Sequence, residues 1–140
     1  MPYITLDDIK KSLPEESIIQ LTDDEDTGAV NGARVDEAIA QADSVIDAYC
    51  GSLYAVPFSD PPQMIKNIAA DIAIYNLYSR KVDAVPETRL ERHRAGIKQL
   101  EAIAKATITL GSTMVAPSEK PSANTSEEDR VFTKDALENY

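Results

Sequence analysis

The chain has 140 residues, 43% of them hydrophobic and 6% aromatic, and it carries a formal charge of −10. That length suits one domain of ordinary size. Nucleic acids and anionic membranes are both bound through a basic face of a protein. The excess of acidic residues therefore argues against a free-standing nucleic-acid binder and against a protein that binds an anionic membrane. Cys50 is the single cysteine, and no apolar run approaches the roughly 18 residues of a membrane span. With no basic leader at the start, we expect a protein made and folded in the cytoplasm.

Two short helices are predicted at the start of the chain. Thr5 is suited to cap the first helix with its side-chain oxygen. The acidic side chains that follow it favour the positive end of a helix. Ser12, with Glu15 three residues later, is predicted to cap the second, with Pro14 in its first turn. This second helix should stop near Thr22.

The next segment, DDEDTG, predicts an acidic turn, because like charges this dense do not form a stable helix unaided. Asp23, Glu25 and Thr27 fall at the first, third and fifth positions of a calcium-binding loop, and Gly28 falls at the sixth. The twelfth position is Arg34, where such loops need a bidentate glutamate. We therefore predict no metal and a bare helix–loop–helix turn, with a weak calcium site as the alternative.

A third helix is predicted over about residues 35–50, where apolar positions recur at steps of three and four, and Gly51 is a plausible stop. Residues 52–62 contain three prolines and are predicted to be a connector. Within it, residues 53–58 are the only candidate for extended chain. Asp60 is predicted to cap the fourth helix, with the two following prolines in its first turn.

The fourth helix contains the run IAADIAIYNLY, which is apolar nearly all round and predicts the most buried element. Pro86 restarts the chain in a long last helix, to about Leu110, which Gly111 should end. We therefore expect an all-α fold, a small bundle of about four to five helices. Its predicted core contains Ile39, Ile46, Ile65, Ile68, Ile72, Leu90, Ile97 and Leu100.

The last thirty residues change in composition, and Ser, Thr, Pro and acidic residues dominate them. We predict a helical domain over residues 1–111 and a flexible C-terminal arm over 112–140, because the arm has too little apolar surface to order alone. Phe132, Leu137 and Tyr140 are its candidate anchors, which we expect to order against a neighbouring protein on assembly.

Catalytic patterns are not found in the sequence, and we predict neither an enzyme nor a bound cofactor. A nucleophilic pair would have to use Cys50 and His93, the only members of their types. Cys50 ends an apolar helix face, which favours a buried and inert thiol. His93 has no second histidine with which to share a metal, so a packed or solvated histidine is the better interpretation.

Charge is distributed unevenly along the chain. Residues 1–50 hold 12 acidic and 3 basic residues, whereas residues 51–110 hold 6 acidic and 8 basic ones. Four of the basic residues, Arg89, Arg92, Arg94 and Lys98, lie on the last helix. We interpret them as candidate assembly contacts with an acidic partner, and a nucleic-acid patch is the alternative.

Three segments carry a resemblance to a known family, and they occur in order across residues 3–78. They are YITLDDIKKSLPEESIIQLTDDEDTGAVN, VDEAIAQADSVIDAYCGSLYAVPF and PPQMIKNIAADIAIYNLY. Together they resemble the Mu-like phage family of small head–tail connector proteins. Residues 86–110 resemble the family only in helical character, and the tail does not. The chain departs from the family pattern at Cys50, where leucine is frequent, and at Glu25 and Thr27, where aspartate is frequent.

The resemblance implies a structural protein of the virion neck, made in the host cytoplasm. It implies a homo-oligomeric ring of about twelve copies that joins capsid to tail. The implied partners are the portal protein and a tail-side neck or tail-terminator protein, with the genome DNA only as passing cargo and no membrane. A chain polarised in charge suits this role, because the acidic half of one subunit would meet the basic half of the next.

Two other functions stay open at this point. One is a DNA-binding or packaging accessory protein that uses the basic last helix. The other is a small calcium-regulated module built on the acidic turn.

Overall fold

The computed structural model describes residues 2–81 and 84–111, which form five helices and, within these ranges, no strand. The prediction of a small all-α bundle is confirmed. The candidate extended segment, residues 53–58, consists of turns and bends. In chain order the helices are α1 (Leu6–Ser12), α2 (Glu15–Thr22), α3 (Gly32–Cys50), α4 (Gln63–Ser79) and α5 (Glu87–Ala104).

The predicted start of α1 is confirmed, but that of α2 is wrong. The Asp8 carboxylate accepts a hydrogen bond of 2.9 Å from the backbone N–H of Thr5, the residue that caps α1. Ser12 is the last residue of α1, and α2 begins only after Pro14. The reason is Leu13, which precedes a proline and is therefore held in the extended region.

Helix α3 begins three residues earlier than predicted, because Asn31 caps it and accepts a hydrogen bond of 3.3 Å from the Arg34 N–H. Helix α4 begins after both prolines, with Pro62 at the cap position, so the prediction that Asp60 caps it is wrong. Pro61 precedes another proline and is disfavoured in helical conformation.

The long helices α3 and α4 pack against each other and form the centre of the bundle. The apolar face of α3 is buried along its length, which confirms the predicted spacing. Helix α4 is buried over most of its circumference, which confirms it as the central element. Six of the eight predicted core residues are buried, namely Ile39, Ile46, Ile65, Ile68, Ile72 and Leu100.

The other two predicted core residues, Leu90 and Ile97, are only half-buried. Helix α5 approaches α4 through its buried Gly96, where an added Cβ atom would lie 3.5 Å from the Cγ2 atom of Ile68. Because the helix turns this face inward, Leu90 and Ile97 lie at the edge of the contact.

Helix α5 ends at Ala104, not near Leu110 as predicted. Ala106 has a φ angle of 58°, and the N–H groups of Thr107 and Ile108 both donate to the Ala102 carbonyl, which turns the chain out of the helix. The chain then returns to the bundle, where the Leu110 N–H donates to the Tyr54 hydroxyl at 3.1 Å.

The predicted arm, residues 112–140, and its anchors Phe132, Leu137 and Tyr140 lie outside the described residues. Across the ranges that the structure does describe, none of the helices combines the length and the apolar character that crossing a membrane requires.

Candidate functional site

The acidic turn after α2 is closed by its own first residue. The Asp23 carboxylate accepts hydrogen bonds from the backbone N–H groups of Thr27, at 2.9 Å, and Gly28, at 2.7 Å. These hydrogen bonds lower the pKa of Asp23, and the bond from the Thr27 N–H contributes most. Gly28 has a φ angle of 76°, in the left-handed region that glycine adopts most readily.

Three cations from the protein itself contact two further acidic residues of this turn, Asp24 and Glu25. Arg34 binds both carboxylate oxygens of Glu25, at 2.6 and 2.7 Å. Lys81 and Arg80 contact Asp24 at 3.0 and 2.8 Å, and they lower the pKa of Asp24 to about 2. Arg80 also donates to the Leu21 carbonyl, at 2.6 Å, at the end of α2. The turn is thus tied to the end of α4.

In this arrangement the carboxylates at the first and third positions of the calcium-loop pattern already have partners within the protein. The Asp23 oxygens are directed to backbone N–H groups and those of Glu25 to Arg34, so the two carboxylates do not converge on one point. No group of three or more His, Cys, Asp or Glu residues suited to a metal occurs in 2–81 or 84–111. The sequence alone did not reveal these contacts, because Arg80 and Lys81 are more than fifty residues away from the turn.

The four predicted contact residues of α5 do not form one patch. Successive residues of a helix are rotated by about 100°, which separates Arg92 from Arg94 by about 200°. Arg94 and Lys98 are exposed on the outer face of α5. Arg89 is half-buried and donates to the Ser12 carbonyl at 2.7 Å, so it connects α5 to the end of α1. Arg92 lies on the same side as Arg89.

Arg92 lies at the rim of a polar groove between α1, α4 and α5. Two adjoining cavities, of about 300 and about 310 Å³, form this groove and share Ser12, Asn67 and Ala70 in their walls. Lys66 and Arg92 make no ion pair with any other described residue, whereas Lys11 is paired with Asp8 at 3.0 Å. The remaining lining residues are Ile4, Gln63 and Asp71.

Behind the groove, α5 packs a histidine on a tyrosine of α4. The rings of His93 and Tyr75 are stacked with centroids 3.9 Å apart and planes inclined by 13°. Burial lowers the pKa of His93 and raises that of Asp71. Cys50, the other residue considered for chemistry, is fully buried, and burial raises the pKa of its thiol to about 11. A thiol in that state is protonated at neutral pH and is a poor nucleophile.

A second charged surface lies on α3. Asp36, Asp43 and Asp47 are spaced seven and four residues apart and therefore share one face of the helix. The Tyr3 N–H donates to Asp43 at 3.2 Å, and the Tyr3 hydroxyl donates to Asp47. Asp36 is exposed and, with the neighbouring Glu37, makes no ion pair with any described residue. We call these four carboxylates the acidic face of α3, with Glu37 at its edge, about 100° round the helix from Asp36.

The amino-terminal segment lies between these two surfaces. Pro2 lines the acidic face, beside Asp36 and Asp43, whereas Ile4 and Asp8 line the groove. Burial raises the pKa of Asp43, and the charge of Asp47 acts in the same direction. Because different residues line them, the acidic face of α3 and the groove with its basic rims are distinct surfaces of a single helical bundle.

These features define a small all-α protein with an acidic face on α3 and a groove of mixed charge between α1, α4 and α5. The chain belongs to the family described as Bacteriophage Mu, Gp36, whose sequence profile matches residues 3–130. It is therefore a Mu-like phage protein, which confirms the family recognised from the sequence. No curated protein matches the chain.

Proposed function

We propose that this protein is a structural head–tail connector of a tailed phage or prophage. In this role it forms a homo-oligomeric ring below the portal, joins the capsid to the tail and lets the genome pass. Its partners are further copies of itself, the portal protein and a tail-side neck or tail-terminator protein.

One observation carries most of this proposal, namely two separate surfaces of unlike charge on one small bundle of a Mu-like phage family. Closed rings need two different surfaces on each subunit, because every copy contacts its two neighbours head to tail. The overall charge of −10 also suits a channel wall, since it repels the phosphates of passing DNA.

Disruption of the gene in a phage or an inducible prophage tests the role. We expect DNA-filled heads and separate tails to accumulate, and we expect the intact gene supplied in trans to restore joined particles. Electron microscopy of the lysate gives the readout. Normal numbers of joined, infectious particles without the protein would contradict the proposal.

Ring formation itself is tested by imaging purified necks by cryo-electron microscopy. We expect density for several copies of this bundle between the portal and the tail. A single copy, or a position outside the neck, would exclude the connector role.

A further inference from the structure

We propose that the acidic face of α3 in one copy docks into the groove between α1, α4 and α5 of the next copy. This inference rests on the proposed ring and assigns the contact between its neighbouring subunits. The groove supplies Lys66 and Arg92, and the acidic face supplies Asp36 and Glu37.

The first argument is the charge left unbalanced on each surface. Within the part of the chain that the structure describes, Lys66 and Arg92 make no ion pair, and neither do Asp36 and Glu37. Lys11, the other lysine of the groove, is already paired with Asp8, whereas Asp71 makes no ion pair with any described residue and lies close enough to Arg92 for the two charges to interact. Surfaces with complementary unpaired charges steer two proteins into one orientation and one register.

The second argument is the small residues at both surfaces. The groove is walled by three helices, and its lining contains the small residues Ser12 and Ala70. The acidic face is a shallow hollow of about 530 Å³ on α3, where the exposed small residue Ala40 lies between Asp36 and Asp43. Small side chains on both sides allow the two backbones to approach each other closely.

The third argument is the mixed charge of the groove, which favours a protein over a polyanion. Asp8 and Asp71 lie among the lining residues, between the basic rims. A continuous row of phosphates would meet both carboxylates. A helix that carries separate carboxylates can align them with Lys66 and Arg92 alone.

The position of the two surfaces agrees with a ring. Pro2 lines one surface and Ile4 the other, and the two surfaces share no lining residue. A contact between two different surfaces is heterologous, and such a contact closes into a ring when the rotation between neighbouring copies divides the full circle.

A charge swap tests the contact. The groove variant carries Lys66→Glu and Arg92→Glu, and the face variant carries Asp36→Lys and Glu37→Lys. Each variant alone places like charges opposite each other, so we expect self-association to weaken about a hundredfold or more. Sedimentation velocity at low ionic strength measures the association of the full chain.

Mixing the two variants in equal amounts should restore assembly, because a reversed groove then meets a reversed face and an unchanged groove meets an unchanged face. Restored assembly also shows that both variants are folded. The matched control for the face variant is Glu91→Lys with Glu101→Lys, which makes the same charge change at exposed positions of α5 outside both surfaces, and Arg94→Glu with Lys98→Glu is the corresponding control for the groove variant. Both controls should assemble like the parent.

Three results would overturn the inference. They are a groove or face variant that assembles like the parent, two defective variants whose mixture stays unassembled, and a parent chain that remains monomeric at every concentration tested. None of them decides the neck role, which depends on the gene disruption. Joined particles without the gene would reject that role whatever the outcome of the swap.

Discussion

Gly96 lies on the face of α5 that packs against α4, and this orientation explains why two predicted core residues of α5 are only half-buried. An added Cβ atom at this position would meet Ile68 at 3.5 Å, an ordinary van der Waals contact. The periodicity of α5 predicted a stripe through Leu90 and Ile97, because both are apolar and glycine counts as polar or neutral in such a pattern. A glycine inside a helical pattern was the available signal of a close approach.

Ile72 is the residue at which the centre of the bundle is best tested. Its side chain is 1% exposed, in the middle of α4. We expect Ile72→Ala to lower the free energy of unfolding by about 2–5 kcal/mol, through lost burial and the cavity that remains. Chemical denaturation measures this loss.

Glu91→Ala is the control for this substitution, because Glu91 is exposed and surface changes of this kind stay within about 0.5 kcal/mol. A loss below about 1 kcal/mol for Ile72→Ala would show that α4 is not the central helix, since buried large-to-small changes cost more than that.

At the scale of the helices, the long elements were predictable and their ends were not. Helices α3 and α4 follow from apolar spacing, because burial of a long face outweighs local preferences. Ser12 and Asp60 have side chains that often cap helices. Each is followed by a residue that precedes a proline, Leu13 or Pro61, and such a residue is disfavoured in helical conformation. The predicted end of α5 failed because the chain leaves the helix at Ala106, an alanine with a positive φ angle.

The link between the acidic turn and α4 depends on contacts that are remote in sequence. Asp24 connects the turn to both Arg80 and Lys81, and local pattern gives no sign of either contact. What the sequence did indicate correctly is a turn, since dense like charges need partners from elsewhere. Here those partners are cations of the bundle itself.

This link makes the stability of the protein depend on pH in acid. The Lys81 and Arg80 contacts lower the pKa of Asp24 from 3.8 to about 2. The contribution of these contacts to the free energy of unfolding is therefore complete above a pH of 3.8. It is lost as the pH falls through about 2, because the folded protein must then take up a proton on Asp24. We expect Asp24→Asn to make the unfolding free energy less dependent on pH between these values.

Urea denaturation of parent and variant at a series of pH values measures the effect. Asp26→Asn is the matched control, because Asp26 lies in the same turn and makes no ion pair with any described residue. Equal pH dependence in the parent and in Asp24→Asn would show that the ion pairs of Asp24 do not contribute to folding.

At the scale of the whole molecule, the charges are arranged on separate sides and not along one path. Arg92 lies at the groove, whereas Arg94 and Lys98 lie on the outer face of α5. Tight binding of DNA needs several cations aligned with successive phosphates. Helical spacing alone separates Arg92 from Arg94, but it does not tell which of them lies at the groove, because that depends on how α5 packs against α4.

We therefore expect the purified protein to retain little double-stranded DNA in a filter-binding assay, even at low ionic strength. A basic protein of similar size that is known to bind DNA serves as the positive control. Tight binding that falls steeply with salt and is abolished by Arg94→Glu with Lys98→Glu would favour the packaging accessory instead.

The contact between Leu110 and Tyr54 has a mechanical consequence. Tyr54 packs against Phe58, with ring centroids 6.0 Å apart, and Phe58 packs against Tyr3 at 5.8 Å. The first and last described residues of the bundle therefore lie near each other, as the ends of domains often do. Tension applied between them loads this aromatic contact first and peels the end segments away one bond at a time. The α3–α4 pair lies at the centre of the bundle and carries that load last.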